Sequence, residues 1–177
     1  MEGPRAAARW FQRKRAEYSA GAERPMVGYS VALLTYGVGV SSVAAAARAA
    51  GRWPPPRLSA GDLALMTVAT HKLSRLIAKD PITSPLRMPF TRFEGVSAPS
   101  ELHEEVRASG MGHSIGELIA CPFCLAPWVA TGLTAGYAVA PGTTRSLATA
   151  YAAVAGADFL QYAYAATQQR SSPPESR

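Results

Sequence analysis

The sequence predicts an all-α, polytopic membrane protein: about four transmembrane helices, with a polar connector between helices two and three. Three observations predict it. Charge is segregated, with long uncharged runs alternating with short, strongly charged connectors, whereas a soluble domain interleaves charge to wet its surface. Two runs, Val27 to Ala47 and Leu118 to Thr144, contain no charged residue at all. Basic residues are also shared unevenly between the ends of the apolar runs, as the positive-inside rule expects. A chain of 177 residues has room for one domain.

Residues 1–25 are polar and basic, with Arg5, Arg9, Arg13, Lys14, Arg15 and Arg24 around Trp10 and Phe11. This composition suits a cytoplasmic segment that either lies as a short helix on anionic lipid headgroups or is a disordered tail. The helical domain is expected over 26–169, with spans at about 27–48, 60–78, 120–140 and 146–168, and a polar tail over 170–177. The first run has 21 uncharged residues, enough at about 1.5 Å per residue to cross a hydrocarbon core of about 30 Å. Arg48, Arg52 and Trp53 mark its interface, and Pro54 to Pro56 stop it. A cleaved signal peptide fits less well, because the basic region before the run is long; the Ala-rich stretch Ala44 to Ala47 leaves a cleavage site open.

Leu63 to Ala78 is ambiguous. Thr67, Thr70, His71, Ser74 and Arg75 form a polar stripe at helical spacing, so the segment reads as an amphipathic helix or as a span whose stripe faces the bundle interior. Lys72, Arg75 and Lys79 sit near its end, where long side chains snorkel to water. Asp80-Pro81 terminates it. Residues 79–117 form the connector: prolines keep it irregular, and Glu101 to Arg107 suggests a turn or two of surface helix capped by Ser100. Pro122 suits the first turn of the third span, Pro127 would kink it, and Gly132 and Gly136 offer a GxxxG packing face. Ser146 to Gln169 is apolar apart from Asp158 at its middle.

With both termini cytoplasmic, the inner side carries the six N-terminal basic residues, Lys72, Arg75, Lys79, Arg87, Arg92, Arg107, Arg170 and Arg177. The outer side carries only Arg48, Arg52, Arg57 and Arg145. The net charge of +6 therefore points to an anionic membrane surface; no aromatic-basic platform for nucleic acid is visible, and no nucleic-acid partner is expected.

Chemistry could reside in two places. Cys121-Pro122-Phe123-Cys124 stands at a helix entrance. The helix N-terminus would stabilise a thiolate there, so the pair reads as a thiol redox site. It also reads as half a zinc site, completed to a tetrahedron by His103 and His113, or as two small residues packing. On the cytoplasmic side, a reducing compartment, a stable disulfide is not expected. Asp158, inside a span, requires a partner; Arg75 is the natural one, with Lys72 or His71 behind it. The pair would act as structural glue or as part of a transport path. No cofactor is implied.

Two blocks, Thr70 to Arg87 and Gly116 to Ala130, resemble the DUF1360 family of small bacterial integral membrane proteins, which includes a sporulation-associated membrane protein of bacilli. Arg75, Leu76, Asp80, Pro85, Leu86, Arg87, Gly116, Glu117, Leu118, Cys121, Pro122, Cys124 and Trp128 carry the resemblance. It covers about 60–140 and leaves the first span outside the family core. Ala126-Pro127 depart from its usual Gly and aromatic. The resemblance implies membrane location and no defined activity; with the apolar runs and the charge count, the expectation is a multi-pass protein of the bacterial cell membrane. The expected function is a structural or accessory subunit packing against other membrane subunits or itself; the alternatives are a membrane thiol-disulfide oxidoreductase using Cys121 and Cys124, and a transporter-like protein using Asp158.

Overall fold

A computed structural model describes residues 3–19, 24–52 and 57–171. The interface mark Trp53, the prolines Pro54 to Pro56, and Pro173, Pro174 and Arg177 of the tail lie outside the described residues. The described chain is mostly helical: α1 (Gly3–Ser19), α2 (Met26–Ala49), α3 (Ala60–Lys79), a 3₁₀ turn (Pro81–Thr83), α4 (Ser84–Arg87), a hairpin β1 (Thr91–Ala98) and β2 (Glu101–Val106), then α5 (Gly110–Ala120), α6 (Pro122–Val139) and α7 (Pro141–Ser171).

Helix α2 follows Pro25 and ends in a Schellman arrangement. Gly51 adopts a left-handed φ of 67°, its N–H donates to the Arg48 carbonyl, and the Arg52 N–H donates to the Ala47 carbonyl. Helix α3 starts with a capping box: the Asp62 N–H donates to Ser59 Oγ at 3.0 Å and the Ser59 N–H returns to the Asp62 carboxylate. It ends at Asp80, which is extended because Pro81 follows.

The connector is where the all-α expectation fails. Residues 91–106 form an antiparallel hairpin rather than an irregular path with a helical turn. Glu101 to Val106 alternates, with Leu102, Glu104 and Val106 turned inward and His103 and Glu105 outward, a period of two. β-branched and aromatic Thr91, Phe93 and Val96 supply the partner strand. Ser100 caps no helix; it stands in the two-residue turn Pro99–Ser100 with a left-handed φ of 61°.

The third hydrophobic stretch is two helices. α5 and α6 meet at Cys121 with a 77° bend, because Pro122 drives its predecessor out of the helical region. The sharp break is thus at Cys121, and Pro127 lies within α6. Helix α7 begins at Pro141, earlier than the expected 146, and runs to Ser171.

Met66, Ala69, Leu133 and Ala148 form the core, with Leu73, Tyr137 and Tyr151 against them; α3, α6 and α7 thus make a three-helix bundle. Tyr137 and Arg145 meet Asp62 at one end, and Asp158 meets Lys72 toward the other. Helices α3 and α7 therefore run in the same direction and α6 runs against them. Helix α2 runs alongside α5 and α6: Gly28 abuts Ser114, and Tyr36 meets Trp128 edge-on at 5.1 Å. The four long helices after α1 alternate up and down. The hairpin, α4, α5 and the start of α6 gather at the end where α2 begins and α3 finishes.

The four-span count does not follow from length and apolarity. Among the described residues α2 alone qualifies as an unbroken helix, and the bent α5–α6 pair qualifies only if taken together. Helix α3 carries Asp62, Lys72, Arg75 and Lys79, and α7 carries Arg145, Asp158 and Arg170.

Burial is inverted relative to a water-soluble core. The largest fully buried side chains are Arg87 and Ser74, and the buried apolar residues are few and mostly alanine. Large apolar side chains point outward: Leu33 is 72% exposed, Leu34 67% and Leu160 73%.

Candidate functional site

The polar end of the bundle holds most of the residues singled out by sequence, in three linked clusters. The first is centred on Arg87. Its guanidinium is fully buried, and each of its five N–H groups has an acceptor. Nε donates to Glu104 Oε2 at 2.6 Å. Nη1 donates to the Ile77 carbonyl at 2.6 Å and to Thr83 Oγ1 at 2.7 Å. Nη2 donates to the Asp80 carbonyl at 3.1 Å and to Glu104 Oε1 at 3.2 Å. Glu104 also accepts from Thr91 Oγ1. The Asp80 carboxylate caps the next turn by accepting the Ile82 N–H at 3.0 Å. Arg87 and Asp80 thus bind the end of α3, the α4 turn and the hairpin into one piece. A buried charge pair is tolerated when geometry and hydrogen bonding are this complete.

The second cluster lies between α3, the hairpin turn and α7. Asp158 does not pair with Arg75. Lys72 Nζ donates to Asp158 Oδ2 at 2.6 Å, while Arg75 reaches Glu101 of β2, its Nε donating to Oε1 at 2.9 Å. The cause is the hairpin: it brings a carboxylate onto the last turns of α3, one turn beyond the level of Asp158. His71 projects beside them with no ion pair or side-chain hydrogen bond among the described residues. Tyr162 of α7 donates to the Pro99 carbonyl at 3.4 Å, closing the far wall. Within the hairpin, Arg92 is held above its ordinary pKa by its hydrogen bond to Glu94.

The third cluster attaches α2. Glu117 on α5 accepts from Tyr29 and lies 3.6 Å from Arg24 and 3.4 Å from His113 Nε2. The Ser114 hydroxyl donates to the Pro25 carbonyl at 3.3 Å. Farther along, Tyr36 shares a 2.8 Å hydrogen bond with Thr131 and its ring meets Trp128. Glu117 and Trp128 therefore act at the α2 contact.

The Cys-Pro-Phe-Cys motif sits beside this contact, at the bend. Pro122 opens α6, and the Cys121 sulfur accepts the Cys124 N–H at 3.2 Å as the N-cap. Both cysteines are free thiols that face one another, with Cys124 donating to Cys121. His113 is turned toward Glu117 and the Ala108 carbonyl. Among the described residues no three His, Cys, Asp or Glu side chains converge as metal ligands would, so the zinc reading of Cys121, Cys124 and His113 lacks its further ligands.

The GxxxG pair is split. A Cβ on Gly136 would stand 2.9 Å from Thr144 Oγ1 on α7, whereas one on Gly132 would meet nothing within 4 Å. Gly136 is consumed within the chain; Gly132 is open.

Glu101 and Glu104, which the sequence pattern places in a helical turn, and the Asp62–Tyr137–Arg145 cluster at the opposite end are not singled out by sequence. Two signals were present: the alternation in β2, and the capping-box spacing of Ser59 with Asp62.

Residues 65–164 match a family described as "Protein of unknown function (DUF1360)". The chain belongs to the DUF1360 family. The match begins in α3 and ends in α7, so it includes the Arg87 clasp, the Lys72–Asp158 pair and the cysteine motif, and leaves α1 and α2 outside. Comparison with curated proteins and with solved structures gives no match.

Proposed function

We propose that this DUF1360 chain is a multi-pass protein of the bacterial cell membrane that serves as a structural or accessory subunit of a membrane assembly. In this reading α2, α3, α6 and α7 lie in the bilayer, with the clasped hairpin head and both termini on the cytoplasmic side. The observation that carries it is the inverted burial: large apolar side chains ring the outside, the core between α3, α6 and α7 is small, and hydrogen-bonded charge holds both ends of the bundle. Of the ionisable groups of α3 and α7, Asp62, Lys72, Arg75, Arg145 and Asp158 each face a partner of opposite sign, which lowers the cost of placing such helices in lipid, and Lys79 and Arg170 stand in the last turns of their helices. The contacts account for the family's polar signature as architecture. The open Gly132 face is where a second subunit would pack.

The test is carbonate extraction of membranes, followed by labelling of single cysteines introduced on a cysteine-free background. Retention in the pellet, with the hairpin labelled only from the cytoplasmic side, is expected. Release into the soluble fraction refutes the reading. Co-purification in mild detergent then identifies the assembly.

One observation favours a second reading. The Cys121 and Cys124 sulfurs are close together and Phe123 between them is 87% exposed, so a partner disulfide could approach. The step would be dithiol exchange. The two thiols reduce a partner disulfide through a mixed disulfide, ending with a Cys121–Cys124 bond and two partner thiols. Thiol trapping in cells decides it: no oxidised form, and a Cys121→Ser variant without phenotype, removes this reading. A transporter-like role for Asp158 requires the Lys72 pair to open, and an Asp158→Asn variant that assembles and functions normally excludes it.

A further inference from the structure

The cleft between the second half of α3, the hairpin turn and α7 has a volume of about 570 Å³ and carries both charge and apolar wall. Two of its three acids are paired with bases, Asp158 with Lys72 and Glu101 with Arg75, and the third, Asp80, is turned to the main chain, accepting the Ile82 N–H through Oδ1. What remains is donor-rich. Lys79 has no ion pair or side-chain hydrogen bond among the described residues, His71 likewise, and Arg75 directs only Nε and Nη2 at Glu101. The α7 wall is apolar at Ala155 and Phe159, beside Asp158 and Tyr162, and its apolar surface continues onto Leu160, which faces outward.

We propose that this cleft holds the phosphodiester headgroup of an anionic phospholipid, with its acyl chains along the outer face of α7. The inference rests on the membrane reading above. A phosphodiester accepts hydrogen bonds and donates none, which matches the groups left over once the acids are paired. A free phosphate would gain nothing from the apolar wall, whereas a lipid uses both walls at once. The level suits it: Lys72, Arg75 and Lys79 stand at the end of α3 that the basic-residue asymmetry assigns to the cytoplasmic leaflet, where anionic lipid concentrates.

The test uses the full chain, purified in mild detergent, with phosphatidylglycerol, phosphatidylcholine and inorganic phosphate as probes, read by native mass spectrometry. Wild-type protein is expected to retain phosphatidylglycerol over phosphatidylcholine. Phosphate in excess is not expected to displace it. Lys79→Gln is expected to lower retention about fivefold, the loss of one basic contact at a membrane surface. The His71→Gln, Lys79→Gln double variant should lose more with an unchanged melting temperature, since neither side chain holds the fold. Equal retention of the two lipids, equal retention by wild type and Lys79→Gln, or displacement by phosphate each overturns the proposal. Carbonate extraction of the same variants separates the two readings: protein that stays in the membrane without lipid preference refutes the cleft alone, and protein released from it refutes the membrane reading.

Discussion

Arg87 and Glu104 form an ion pair that solvent hardly reaches on either side, with side-chain exposures of 0% and 7%. Removing one partner leaves the other charged, buried and without its counter-ion. Arg87→Leu or Glu104→Leu is therefore expected to cost about 3–5 kcal/mol, read as loss of melting temperature in detergent. Arg87→Lys should not restore it, because a lysine offers three donors from one point where five fork-shaped donors are used. A lysine variant as stable as wild type would contradict the clasp.

The pairing of Asp158 gives a double-mutant cycle. Lys72→Met and Asp158→Asn should couple by about 1 kcal/mol, a modest value because the Asp158 side chain is 39% exposed. Arg75→Met and Asp158→Asn should be additive to within about 0.5 kcal/mol. The reverse pattern would restore the Arg75 partnership that spacing alone suggests.

Three glycines separate packing from mere helix composition. A Cβ on Gly28 would stand 2.7 Å from Ser114 Cβ, and one on Gly136 would crowd Thr144. Gly28→Ala and Gly136→Ala are each expected to destabilise by about 1–3 kcal/mol. Gly132→Ala should leave the monomer as stable or slightly more so, since alanine is the better helix former. If it instead weakens an oligomer seen in detergent, Gly132 marks the subunit contact.

The hairpin turn can be probed at Ser100, whose φ of 61° is unfavourable for a branched side chain. Ser100→Val is expected to lower stability by about 1–2 kcal/mol, and Ser100→Gly to leave it unchanged or raise it. Thermal melts of the two variants decide whether the turn is left-handed as described.

Long uncharged runs and proline punctuation made α2, the end of α3 and the start of α6 readable from sequence, because those features act within a turn or two. The partner of Asp158 was not readable. Lys72 and Arg75 lie on adjacent turns of α3, and only the hairpin, by engaging Arg75, decides between them. The hairpin itself was obscured by its composition: Glu104, which belongs to a buried pair, reads locally as one more surface acid in Glu-Leu-His-Glu-Glu. Asp80 and Arg87 could be picked out as a signature, but their function in holding α3 to β2 depends on main-chain carbonyls, which side-chain identity does not reveal. The bend at Cys121 was within reach, since proline restricts its predecessor, yet the adjacent uncharged run favoured a single span.

The clasp and the Lys72–Asp158 pair also differ in when they can form. Every acceptor of Arg87 lies between Ile77 and Glu104, so the head has all its parts once the hairpin has emerged from the ribosome. Lys72 must wait for a residue 86 positions later, in the middle of α7. The head is thus in place to receive α6 and α7 as they arrive, and the Asp158 contact is a later closure that registers whether α7 has docked.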